Sequence, residues 1–229
     1  MSARPRRLAL WVGAAVLAVL ALVVAVPYAY IHLVEGDAPA ALTAAPAAGV
    51  EPVSGTVDGR WTVAAGSQAG YRVEEVLAGQ DTTAVGRTEA VTGGLTVDGG
   101  TVTAGSFTVD LTKVTSDQDR RDAQFQTRIM DTATYPEATF TLTEPLELGP
   151  LAQAAGTQQV EAPGTLELHG AQKATTADLT VTRSGSTVQV SGQVPVVFAD
   201  HGIDNPSFGS FVKTGDSGTV EVLLTLEKA

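Results

Sequence analysis

The sequence has no cysteine, so disulfides, thiolate metal sites and cysteine nucleophiles are all excluded. Histidine is nearly absent too, with His32, His169 and His201 the whole supply. Zinc takes three or four converging ligands. His201 has only Asp200 and Asp204 nearby, so no metal site is expected. Asp117, Asp119 and Asp122 are spaced like part of a calcium loop, but the glycine and distal glutamate of such a loop are missing. Positive charge is scarce: 14 Lys and Arg stand against 25 Asp and Glu, for a formal net charge of −11. From Asp58 onward the counts are 11 and 22, so the C-terminal part alone carries −11. Such a surface repels phosphate backbones, and nucleic acid is excluded as a partner. Aromatic residues make up only 5% of the chain, so an interior built from Val, Leu and Ala is expected.

Apolar residues are plentiful, and they are unevenly placed. Arg4, Arg6 and Arg7 precede a 19-residue run, Leu8 to Val26, that carries no charge. As a helix this run is about 28 Å long, close to the hydrocarbon thickness of a bilayer. Tyr28, Tyr30 and His32 follow, as suits an interface. The basic flank predicts residues 1–7 in the cytoplasm, a transmembrane signal-anchor over 8–33 and everything beyond it outside the cytoplasm. A cleaved signal peptide is the competing reading; its apolar core is usually only about 7–15 residues long. Residues 34–57 are rich in Ala, Pro and Gly without hydrophobic period, and Pro39, Pro46 and Pro52 stiffen them into a tether.

Over residues 58–229 the pattern has period two. Phe107, Val109 and Leu111 alternate with Thr108, Asp110 and Thr112; Phe140 and Leu142 alternate with threonines; Val220, Val222, Leu224 and Leu226 run along the last segment. This predicts about eight half-buried antiparallel strands. Asp98-Gly99-Gly100 and Ser184-Gly185-Ser186 read as hairpin turns between them. Period alone leaves a barrel and a sandwich open. Ser116 to Met130 breaks the pattern. A short helix capped by Ser116 or Asp117 is expected there, with Phe125, Ile129 and Met130 on one face.

Several blocks together resemble the YceI-like family: Arg121-Asp122 through Phe125, Ile129-Met130-Asp131, Tyr135-Pro136-Glu137-Ala138-Thr139-Phe140, and Gly164-Thr165-Leu166-Glu167-Leu168-His169-Gly170. The tail from Phe198-Ala199-Asp200 to Asn205-Pro206-Ser207-Phe208-Gly209 is similar to the actinobacterial branch. The likeness runs from Arg60 to Leu226. It implies an all-β domain, a lipocalin-like antiparallel barrel of eight strands with a small helix, preceded here by the transmembrane segment. It also implies an apolar tunnel that takes a polyisoprenoid chain. The chain departs from the family twice. Relatives carry a histidine near the positions of Glu74 and Glu75 and another where this chain has Gln124, so any role of those histidines does not transfer.

The functional expectation is therefore a membrane-tethered, extracytoplasmic binder of a polyisoprenoid or similar long-chain lipid, without cofactor. Phe125, Ile129, Met130, Phe140, Leu166, Phe198 and Phe208 are the expected ligand wall, and plain core packing is the alternative for each. A ligand-free scaffold or adhesion domain is the alternative for the whole. Catalysis is not expected. Gly215-Asp216-Ser217-Gly218 matches part of a serine-protease nucleophile motif, but Thr219 follows it and no histidine base is in evidence. A turn into the last strand explains the motif better. Arg121 and Asp122 are expected to fix the helix and a loop rather than touch ligand.

Overall fold

The computed structural model describes residues 16–21, 23, 25–26, 29, 38–44, 52–53, 55–77, 79–209 and 212–229. Most of the expected anchor over 8–33 lies outside these. Among the described residues no helix is long and apolar enough to cross a membrane.

The elements run β1 (Gly59–Val63), β2 (Gln68–Leu77), β3 (Gln80–Thr88), β4 (Val91–Asp98), β5 (Thr101–Asp110), β6 (Thr115–Ser116), α1 (Asp119–Gln124), β7 (Glu137–Leu142), β8 (Leu146–Glu147), β9 (Gly156–Leu168), β10 (Ala171–Ser184), β11 (Thr187–Val197), β12 (Val212–Thr214) and β13 (Ser217–Lys228). Eight of the strands close a ring in the order β1-β4-β5-β7-β9-β10-β11-β13, and β13 pairs back onto β1. Every pairing is antiparallel. A closed barrel leaves its ring without edges, which settles the choice against a sandwich.

The barrel is not a plain cylinder. β13 is long enough to serve two neighbours on one side. Its Leu226–Lys228 end pairs with β1, while Thr219–Leu223 pairs with β2. β2 then carries β3 and β12, and β3 carries β6. The expected eight strands are thus the ring. The other five segments are continuations and side pairings that a two-residue period does not separate.

Local sequence explains the hairpins. Gly99 and Gly100, with φ of 58° and 81°, make the β4–β5 turn that Asp98-Gly99-Gly100 predicts. Two successive positive φ values give the primed turn whose twist matches a β-ribbon. His169 and Gly170, with φ of 50° and 74°, do the same between β9 and β10.

The helix differs from expectation at its start. Gln118, not Ser116 or Asp117, is the residue before α1, and its side chain makes no cap. The capping bonds lie one turn away instead. Asp122 Oδ1 accepts from Ser116 N–H (2.8 Å) and Ser116 Oγ–H (2.6 Å), and Ser116 Oγ accepts from Gln118 N–H (3.2 Å). A helical carboxylate thus reaches back to pin β6. The helix continues as a π-helical turn over Phe125–Ile129, closed by Met130 N–H donating to Phe125 O at 2.9 Å.

Two apolar clusters stack along the barrel. One centres on Trp61, Val97, Val102, Leu151, Val188, Leu224 and Leu226. The other centres on Leu111, Phe125, Met130, Leu166, Leu168, Val196 and Phe198. On the outer wall, Glu221 of β13 is 0% exposed. It receives Arg72 Nε–H at 3.3 Å, two N–H groups of Arg87 at 2.9 and 2.7 Å, and the N–H of Leu42 at 3.3 Å. The same arginines donate outward to the carbonyls of Pro39 (2.6 Å) and Ala40. Part of the segment read as a tether therefore lies strapped across β2, β3 and β13.

Candidate functional site

Strand parity decides what faces inward. On β13 the lumen takes Val220, Val222, Leu224 and Leu226; on β11 it takes Val188, Val190, Val194 and Val196; on β2 it takes Tyr71, Val73, Glu75 and Leu77. The intervening residues face out, as a two-residue period requires.

Among the described residues, two adjoining cavities lie in the lumen. The smaller, about 140 Å³, is lined by Trp61, Leu95, Phe107, Phe140, Leu166, Leu224 and neighbours of the same kind. The larger, about 480 Å³, lies between β2, the helix, residues 198–208, β12 and the start of β13. Val109, Ala138 and Val220 line both, so the two are neighbours along one axis. From Gly218 to Leu226 the lining of β13 extends about 27 Å at the usual rise per residue.

The ends of this channel differ. At the small end Arg183 is the only charged side chain among the described lining residues. It is buried and donates to the carbonyls of Leu151 (2.7 Å), Ala152 (2.9 Å) and Gly55 (3.1 Å). Burial lowers its pKa from the usual arginine value. The guanidinium thereby pins the 3-10 turn Gly149–Ala152 over the barrel end, where Trp61 Nε1–H also ties to Val57 O at 2.8 Å. At the large end the lining turns polar, with Glu75, Gln118, Arg120, Arg121, Gln124 and Thr214. Arg121 pairs with Asp117 and, at 3.7 Å, with Glu75. Exposed Arg120 and Phe208, the latter 55% accessible, mark the rim.

The residues expected at the wall are distributed between the cavities. Phe125, Ile129, Met130, Phe198 and Phe208 line the larger one. Phe140 and Leu166 line the smaller one. Arg121 lines the larger cavity as well as holding the helix, whereas Asp122 is spent on Ser116. His201 does not face Asp200 in a ligand cluster. It is buried with Nδ1 3.3 Å from Leu168 O, and its own carbonyl lies 3.1 Å from His169 Nδ1. Gly215 and Asp216 form the turn between β12 and β13, held by Asn205 Nδ2–H donating to Gly215 O (3.0 Å) and Asp216 Oδ1 (3.0 Å).

Tyr71 was missed in the sequence, although the apolar parity of Ala69, Tyr71, Val73 and Leu77 is a signal that places it inside. Its ring stacks on Phe125 with centroids 5.0 Å apart and planes 15° from parallel. Burial raises its pKa well above the usual tyrosine value; Arg121 opposes this, and Asp122, Glu75 and Asp117 reinforce it. Gly86 makes the space: a Cβ there would stand 2.4 Å from the Tyr71 ring.

A closed antiparallel barrel with this helix and an apolar lumen matches a known family. The YceI-like domain matches residues 61–226. The chain belongs to the YceI-like family. Solved structures with the same fold include a polyisoprenoid binding domain from Saccharophagus degradans implicated in plant cell wall breakdown, at 21% identity and a TM-score of 0.60 over 74% of this chain and 98% of that one. Burkholderia cenocepacia BcnA aligns at 18% identity and a TM-score of 0.55, over 71% and 98% of the two chains. The Campylobacter jejuni YCEI protein aligns at 14% and 0.52, over 63% and 84%. No curated protein matches the sequence.

Proposed function

We propose that this YceI-like chain binds a polyisoprenoid or similar long-chain lipid in its barrel and is held at the outer face of a membrane by its N-terminal segment. The observation that carries the reading is the pair of adjoining cavities, walled mainly by Val, Leu, Ala and Phe side chains, with Arg183 the one charged group among the described residues lining the smaller and the polar residues gathered in the larger. A lumen of this kind suits a slender hydrocarbon. Each CH₂ moved from water into it contributes about 0.8 kcal/mol, so a long tail needs few polar contacts to bind tightly. The Saccharophagus degradans domain of the same fold is described as binding polyisoprenoid, which supports the same ligand class here. The uncharged run Leu8–Val26 behind Arg4, Arg6 and Arg7 supports the tether.

The test is purification of the full chain in mild detergent, followed by solvent extraction and mass spectrometry. A stoichiometric long-chain isoprenoid is the expected result. Val220→Trp, at a position shared by both cavities, fills the passage and is expected to abolish co-purification of that lipid while the barrel remains folded. An empty wild-type protein that also takes up no added isoprenoid refutes the reading and favours a ligand-free scaffold.

A further inference from the structure

We infer that lipid enters and leaves the barrel between the π-helical turn Phe125–Ile129 and residues 203–208, and that the bond from Arg128 to Pro206 is the latch that holds this portal shut. This rests on the lipid-binding reading and goes beyond it in naming the route and the device that limits exchange.

The two sides of the portal belong to separately held units. Phe125 and Ile129 line the larger cavity from the turn, and Ile203, Pro206 and Phe208 line it from the later segment. The helix that leads into the turn is tied to the barrel by Asp122 to Ser116 and by Arg121 to Glu75. Residues 203–208 are tied elsewhere. Asn205 Nδ2–H donates to Gly215 O (3.0 Å) and Asp216 Oδ1 (3.0 Å), and Ser207 Oγ accepts from Thr214 N–H at 3.0 Å. Between the two units, Arg128 Nη2–H donates to Pro206 O at 2.9 Å. Among the described residues no other hydrogen bond or ion pair joins residues 119–130 to residues 203–208.

Exposure decides which end of the lumen opens. Arg128 and Phe208 are exposed, so water competes for the latch and breaking it costs little. At the small end the guanidinium of Arg183 is buried and donates to three carbonyls. Parting those groups leaves a charge and its acceptors unpaired away from water, so that end stays shut. The backbone beside the latch also suits a portal. Met130 N–H reaches Phe125 O, five residues back, and such π turns occur mostly singly, at functional sites.

A latch changes rates and leaves affinity alone, because entry and exit pass through the same opened state. The experiment uses the full chain purified in detergent, with squalene as a probe that has no polar head. Deuterated squalene bound to the protein is chased with unlabelled squalene, and the retained label is followed by mass spectrometry. Arg128→Ala is expected to speed uptake and loss alike, about three- to tenfold, the worth of one exposed hydrogen bond, with Kd unchanged. A second variant tests closure within one folded protein. The chain has no native cysteine, so Arg128→Cys with Pro206→Cys is bridged uniquely by a short, cleavable bis-maleimide. Exchange is expected to slow at least tenfold with the bridge in place and to recover when it is cut. Equal exchange rates in wild type and Arg128→Ala, a raised Kd with unchanged uptake, or free exchange in the bridged protein overturns the portal while leaving lipid binding intact. Failure of wild type to take up squalene overturns both, since the lumen is then no site for isoprenoid hydrocarbon.

Discussion

Replacing Glu221 by alanine removes the acceptor that joins two arginines of the barrel wall to the strap in front of it. The carboxylate is 0% exposed and takes four N–H groups, from Arg72, Arg87 (two) and Leu42. Breaking a buried ion pair by deleting one partner costs roughly 3–5 kcal/mol, because the remaining charge is left uncompensated. Here the side chains of Arg72 and Arg87 retain 19% and 24% exposure and keep the carbonyls of Pro39 and Ala40, so water and strap recover part of the loss. A destabilisation of about 2–3 kcal/mol follows. For a domain of this size that lowers Tm by about 4–12 °C. Thermal unfolding followed by circular dichroism measures this. Limited proteolysis measures the second consequence, faster cleavage within residues 38–44, since Leu42 loses its anchor. The triple replacement Arg72→Met, Glu221→Leu, Arg87→Met is expected to recover much of the Tm, because a packed apolar set without charges carries no desolvation penalty. It should not restore protection of the strap, whose carbonyls lose their donors. A Glu221→Ala protein with wild-type Tm and wild-type cleavage refutes the claim that this triad holds the segment.

Other changes test the barrel itself. At Gly164 an added Cβ would lie 2.2 Å from Phe140 Cζ and 2.8 Å from Thr141 O, so Gly164→Ala is expected to cost about 1–3 kcal/mol by overpacking in urea titrations. The pKa of Asp58 is lowered from its usual 3.8, first by the Gly100 N–H and then by the Thr56 hydroxyl. Its contribution is present above pH 3.8 and lost as pH falls through the lower folded value. Tm measured against pH should therefore fall less steeply in that acid range for Asp58→Asn than for wild type.

The strands were legible because inward and outward residues alternate so regularly. Val220, Val222, Leu224 and Leu226 already announce which side of β13 meets the lumen. The spacing of Phe125, Ile129 and Met130 likewise placed three side chains on one face, and all three line one cavity. Closure was not legible. It depends on Trp61 meeting Lys228 across the whole domain, and no local pattern records such a contact. The cap of α1 was misplaced because Ser116 and Asp117 are good cap residues by type, whereas the chain uses the later Asp122 to hold Ser116 in place. Glu221 was invisible for another reason. On an outward strand position a glutamate reads as solvated, and its partners lie 149 and 134 residues away.

The placement of positive charge gives the proposed function a physical constraint. Among the few basic residues of the domain, Arg72, Arg87, Arg121 and Arg183 are engaged with carboxylates or backbone carbonyls of the fold. What remains outside is strongly acidic, and an acidic surface gains nothing from an anionic bilayer, whose field fades over about a Debye length of 8 Å. Attraction of charge therefore does not bring this barrel to its ligand. In the proposed function a membrane tether does so without charge, by converting encounter with membrane lipid into an event within one molecule. Strapping residues 39–42 to the barrel wall shortens the free part of that tether. In the proposed function the restraint that stabilises the outer wall thus also limits how far the barrel strays from the bilayer.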